Sequence, residues 1–299
     1  MTTSRTRPTR RQFLKTASVI SLAPTIPMFL SNPALSAAKK SDHGRIIVVI
    51  QMSGGNDGIN TVVPFRDEGY AKHRKLLGLA EDQLLKVDDS VGLHPSMSGA
   101  AELLEKGRLG IVQGVGYPNP NRSHEVSMSI YQTARFDPTE HQTIGWLGRA
   151  MDEDQNRRSG AETGRTNCVL LGDENPPVAL RGRRSTAIAL ADLHDLKLNV
   201  PTPQEKVGSE GDDLLAFTRR AAADAFAASK VIDGVTAKST MKAAYPATKL
   251  GKRLQSVAQL IKSDFGASVY YAVQGGYDTH SAQLQTHARL LSELSGAIK

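Results

Sequence analysis

The run Ile46-Ile47-Val48-Val49-Ile50 constrains the fold of this chain more than any other feature. Consecutive β-branched residues leave no polar face. The segment therefore suits a central strand covered on both sides, not the half-wet strand of an open antiparallel sheet. Cys168–Leu171, Thr186–Leu190 and 267–273 ("ASVYYAV") read the same way, and Leu109–Val115 reads as a further strand. Helical patterns fall between them. Pro95–Gly107 has a proline near its first turn and a glycine at its end. Ser123–Ala134 follows, and Asp212–Val231 has an acidic start with apolar Leu214, Phe217, Ala221 and Phe226. Leu250, Leu254, Val257 and Ile261 mark another helix that Gly266 stops, and Ala282–Ile298 is the last. Strands alternating with helices predict an α/β fold, a mostly parallel sheet with helices on both faces. The polar stretches 151–166 and 199–211 read as surface insertions.

The N-terminus reads as an address. Thr9-Arg10-Arg11-Gln12-Phe13-Leu14-Lys15 is an arginine pair ahead of an apolar stretch, Ala17–Leu30, that Pro24 and Pro27 interrupt. Small residues at Ala34, Ser36, Ala37 and Ala38 then offer a cleavage site. This is the pattern of a twin-arginine export signal over residues 1–38, followed by one domain over 39–299. The expected partner is the twin-arginine translocase, and the expected destination is the periplasm or the exterior. The apolar stretch is too short and too broken to span a bilayer, so no stable membrane span is expected after cleavage.

The signal also changes the charge argument. The whole chain is +7, but residues 1–38 carry five of its 37 Lys/Arg and none of its 30 Asp/Glu. The remainder is only +2, which is no electrostatic footprint for nucleic acid. One cysteine, Cys168, excludes an intrachain disulfide.

Sites in open α/β sheets form beyond the carboxyl ends of the strands. Three stretches take that position: Gly54–Thr61 ("GGNDGINT"), 114–125 ("GVGYPNPNRSHE") and 274–280 ("QGGYDTH"). Asp57 is either turn chemistry or a metal ligand. Asp278 and His280 are two residues apart, and in loop backbone both can face one point; an Asp carboxylate with a His imidazole suits zinc or a similar ion. The bland alternative is a turn cap beside a surface histidine. Ser123 stands where a helix should begin, either as its N-cap or as a hydroxyl activated at a helix N-terminus. Arg122 can hold an anionic ester or be a solvated charge, and His124 can be a base, a substrate contact or a surface histidine. His94, in "GLHPSM", reads as a structural loop residue. The glycines of "GGNDG" lack the spacing of a dinucleotide-binding loop.

Taken in order, "GGNDGINTVVP", "GLHPSM", "VGYPNPNRSHE", "GWLGR" and "GGYDTH" resemble the exported bacterial family catalogued as domain of unknown function 1501. That family is similar to the alkaline phosphatase and sulfatase superfamily, and the resemblance runs from about residue 44 to the end. It implies an alkaline-phosphatase-like fold and a metal-dependent hydrolase of phosphate or sulfate esters. Asp57 would be the first metal ligand, Asp278 and His280 the later ones, and Ser123 the nucleophile. Asn60, Arg122 and His124 would contact a small anionic ester. The superfamily's usual Asp-x-x-x-His would put its histidine where Ala282 stands, so His280 takes that part. The family's closing motifs, an Asp-His pair and a further His, would fall after residue 299, so the domain is expected to be incomplete at its C-terminus. The competing class is a non-catalytic exported binding or assembly protein that keeps the scaffold.

Overall fold

The computed structural model describes residues 46–136, 143–157, 168–182, 187–191, 193 and 243–299. The expected export signal, the helix expected at Asp212–Val231 and the insertion at 199–211 lie outside the described residues. Four parallel strands form the main sheet: β1 (Ile47–Met52), β5 (Cys168–Leu171), β6 (Ala187–Leu190) and β7 (Val269–Gln274), in the order β1-β7-β5-β6. A small antiparallel sheet, β2 (Val62–Val63), β4 (Gly92–Leu93) and β3 (Leu85–Lys86), follows β1 in the chain. The helices are α1 (Gly58–Thr61), α2 (Glu68–His73), α3 (Ser98–Glu105), α4 (His124–Thr133), α5 (Trp146–Arg157), α6 (Lys249–Lys262) and α7 (Gln283–Ile298). None of the described helices is long and apolar enough to cross a membrane.

The wholly apolar strands are explained by two cores, one on each face of the sheet. Val169, Leu171, Ile188, Leu190, Tyr270 and Ala272 pack against Leu250, Leu254, Val257 and Leu260 of α6 and Leu294 of α7. The alternate residues Cys168, Leu170, Ala187, Val269, Tyr271 and Val273 pack against Leu147 and Met151 of α5 and a 3₁₀ turn at Val178–Leu180. With both pleat faces covered, a polar residue on either would be buried without a partner. Burial pushes the Cys168 thiol up to about 12, so it packs as a small apolar group.

Helix ends follow the expected chemistry. Gly107, at φ +64, closes α3, with Arg108 N–H donating to Leu103 O and Gly107 N–H to Leu104 O. At the other end of α3 the Ser295 hydroxyl of α7 accepts from Ala100 N–H at 2.9 Å. Gly99 allows this contact, because a Cβ there would lie 2.4 Å from Ser295 O.

Three expectations are corrected. The β1 run is not central: it is an edge strand, with Ile47 48% and Val48 41% exposed and only β7 bonded to it among the described residues. Leu109–Val115 forms no strand. Leu109 and Ile111 turn into the core beside Met97 and Leu291, Val112 and Val115 face solvent, and Gly114 adopts φ +68. Two glycines in seven residues weaken any ladder that the apolar residues could support. Finally, 151–157 is not an insertion but the second half of α5, with Met151 in the core; 158–166 lies outside the described residues.

Leu170 lies in β5, fully buried between α5 and the neighbouring strands. Leu170→Ala should destabilise the protein by about 2–5 kcal/mol, read as a lower denaturant midpoint in chemical unfolding.

Candidate active site at the carboxyl edge of β1 and β7

Parallel pairing of β1 with β7 brings two distant loops together. The register ends at Met52↔Gln274, and Ser53 N–H continues it by donating to Gln274 O at 2.9 Å. Gly54 and Gly55 then turn the chain at φ +106 and +82. A Cβ on Gly54 would stand 2.6 Å from the Asp278 backbone nitrogen. The first glycine of "GGNDG" is therefore required twice, by its dihedral and by the loop pressed against it.

Asp57 caps α1, its Oδ1 accepting from Asn60 N–H at 3.3 Å. It does more than cap. Arg74 grips both oxygens, Nη2 donating to Oδ1 at 3.0 Å and Nη1 to Oδ2, while Gln283 Nε2 donates to Oδ2 at 2.5 Å. Burial alone pushes this carboxyl up. The hydrogen bond and charge of Arg74, with Gln283 and Asn60 N–H, outweigh it and hold the group below its ordinary value. Nothing in the local sequence signals Arg74, which lies beyond a turn and a helix.

Asn60, expected at the substrate, is buried with both ends of its amide bonded inside the fold. Nδ2 donates to Leu77 O at 2.7 Å, and Oδ1 accepts from Tyr70 Oη at 3.0 Å. Asn56 reaches the other way: its Oδ1 lies 2.9 Å from His287 Nε2 of α7. His287 meets His94 edge to face at 5.7 Å between ring centres. Ser96 N–H donates to His94 Nδ1 at 3.1 Å, which leaves the ring proton on Nε2. Burial, with the like charge of His287 second, lowers His94 to about 4; burial also lowers His287. Both rings are neutral parts of the wall beneath the Asp57 loop. His94 thus has the structural place its sequence context suggested; Asn56 lies within the Gly54–Thr61 stretch but carried no expected role, and Gln283 and His287 are additions that no motif marked.

A second cluster lies nearer solvent. Asp278 Oδ2 is 3.0 Å from His280 Nε2 and 3.6 Å from His124 Nε2. The short spacing of Asp278 and His280 brings both side chains to one point because His280 takes φ +34. His124 arrives from the start of α4, where a Cβ on Gly55 would lie 3.8 Å from its Cε1. Ser123 is the N-cap of α4, its Oγ accepting from Val126 N–H at 3.5 Å, and its own N–H donates to Asn121 Oδ1 at 2.7 Å. Arg122 is exposed and carries no ion pair among the described residues. Gln283 joins the clusters: its Nε2 holds Asp57 while its Oε1 accepts from Thr279 Oγ1 at 3.3 Å.

The donor set bears on a metal in two ways. Ligands of a tetrahedral ion with bonds of about 2.0–2.1 Å stand roughly 3.3 Å apart, and the two Asp278–histidine distances bracket that value. As they stand, however, no three His, Cys, Asp or Glu groups among the described residues close around one point. Asp57 is further from readiness, since Arg74 and Gln283 occupy its oxygens. The chain matches no family model, no curated protein and no solved structure.

Two outcomes are expected here. Gly54→Ala should lower the unfolding temperature and shift the amide resonances of Tyr277 and Asp278. The buried histidines should make stability fall as pH drops. His94 has a folded value below its unfolded value of about 6.5, so the unfolded chain binds more protons between that value and about 4. Stability should be complete above this window and decline through it, by at most about 1.4 kcal/mol per pH unit for His94 alone. His94→Asn should flatten the decline in urea melts across that range.

Proposed function

We propose that this chain is a metal-dependent hydrolase of phosphate or sulfate esters, exported folded by the twin-arginine route. The supporting observation is convergence: His124 of the α4 start, Asp278 and His280 of the β7 loop and the glycine turn after β1 meet at one edge of the parallel sheet. Asp278 and His280 would hold a divalent ion, zinc or a similar one, and Asp57, once free of Arg74, would be a further ligand. Such an ion, when bound, neutralises ester oxygens and lowers the pKa of the attacking hydroxyl. Ser123 Oγ would attack the phosphoryl or sulfuryl centre held at the free N–H groups of the α4 start, its proton passing to solvent as the bond to the ester's alcohol breaks and the alcohol leaves; water then attacks the same centre, freeing Ser123 and releasing phosphate or sulfate. Arg122 and His124 contact the anionic group. Asn60 acts from beneath, its N–H on Asp57 and its amide locked by Tyr70 and Leu77.

A second reading is favoured by the Asp57–Arg74 pair. A carboxylate already matched by a guanidinium has its charge satisfied without a metal, as in an exported binding or assembly protein that keeps the scaffold. Elemental analysis and turnover of aryl phosphates and aryl sulfates by the full chain separate the two. The hydrolase requires stoichiometric zinc, manganese or calcium that Asp57→Asn, Asp278→Ala and His280→Ala reduce. It also requires that Ser123→Ala abolish turnover while retaining the metal. A metal-free protein inert on both ester classes would establish the non-catalytic reading.

A further inference from the structure

Two strands away from β1, the same edge of the sheet carries a second cleft. It has a volume of about 250 Å³ and is lined by Leu171, Asp173 and Ala191 from the ends of β5 and β6, with Lys249, Lys252, Arg253 and Ser256 from α6. The α6 residues fall at successive turns of one helix face, so the cleft runs along the side of the helix.

The three cations are not equivalent. Arg253 is a structural knot: Nη2 donates to Asp173 Oδ1 at 2.6 Å, and Nη1 to Glu174 Oε1 at 2.8 Å and Val273 O at 2.5 Å. Gly172 makes room for it, since a Cβ there would lie 2.9 Å from the guanidinium carbon and 2.1 Å from Glu174 Oε2. With Arg253 matched by two acids, Lys249 and Lys252 have no ion pair among the described residues. The Ser256 hydroxyl likewise has no bonded partner there. Helix stability does not account for the lysines. The first turn of α6 has no acid and carries cations where the helix dipole favours anions.

We infer that this cleft binds a phosphate dianion, with Lys249 and Lys252 supplying the charge, Ser256 a hydroxyl donor, and Leu171 and Ala191 an apolar wall. Arg253 holds the β5 and β7 ends in place and is a positioning residue. The volume lies below the usual range of ligand pockets, which suits either free phosphate or a compact phosphate ester. The site shares no residue with the Asp57 and Asp278 clusters, so it does not rest on the hydrolase reading.

The test is calorimetric titration of the full chain with inorganic phosphate and, separately, with phenylphosphonate, which resists hydrolysis. Ionic strength is held with chloride. Saturable binding is expected, weakened at least about tenfold in Lys249→Gln/Lys252→Gln, and weakened by the same factor when that pair is exchanged in an Asp278→Ala background, where the other cluster cannot contribute. Each lysine is exposed, so the double variant should keep the wild-type unfolding temperature. Tighter binding of phenylphosphonate assigns the ester, and equal binding assigns the free ion. Absence of saturable binding, or binding indifferent to the lysine pair in either background, would each overturn the assignment.

Discussion

The parallel ladder between β1 and β7 is the interaction on which the rest of this structure depends. It joins segments from opposite ends of the described chain in one unbroken register, Ile47↔Val269 through Met52↔Gln274. Its carboxyl end delivers the Asp57 turn and the Asp278 loop to the same place. A one-residue slip would exchange the two apolar faces of β7 and remove Tyr270 and Tyr271 from their separate cores. The two-sided packing therefore specifies the register, and the register places the loops. Beyond the ladder, Gly54 lets the loops touch and Gln283 ties them with one amide.

Charge at this edge is handled in layers. The half-buried Asp57 is matched by Arg74 in a two-point pair, and next to it lie neutral histidines whose burial disfavours the charged form. Outside them, Asp278 meets two exposed imidazoles in solvent. Truncating one partner of the inner pair leaves a shielded charge uncompensated, whereas the outer groups can rearrange at little cost. A cation arriving at the outer cluster meets side chains free to rotate. One arriving at Asp57 must displace a guanidinium.

Legibility in the sequence differed by kind of feature. Cys168–Leu171 appears at the residues expected, because a run apolar at every position is stable only under two covered faces. Ser123 as a helix start and Gly107 as a helix stop were also readable, since capping is local chemistry. The β1 run was misplaced because edge and central strands share one apolar pattern until the neighbours are known. Leu109–Val115 has strand residues but no ladder partner, and the stretch that begins at Met151 reads as a polar insertion because acids follow Met151 in sequence, while a helical period carries Met151 to the core. Arg74, Gln283 and His287 were illegible: each acts across a long separation in sequence, and no spacing rule reaches that far.

By itself, the sequence determined the α/β class, four of the five strand segments it marked and the loops that could carry chemistry, because these follow from side-chain periodicity and from glycine, proline and capping residues acting over a few positions. It also determined the small charge surplus outside residues 1–38, a matter of counting. Only the tertiary structure decided that Asp57 faces Arg74, that Asp278 is shared by His280 and His124, and that β1 lies at an edge of the described sheet. It alone, too, left Lys249 and Lys252 without an ion pair among the described residues, above the end of β5. Those outcomes depend on which surfaces meet when the sheet packs, a global constraint that no local pattern contains.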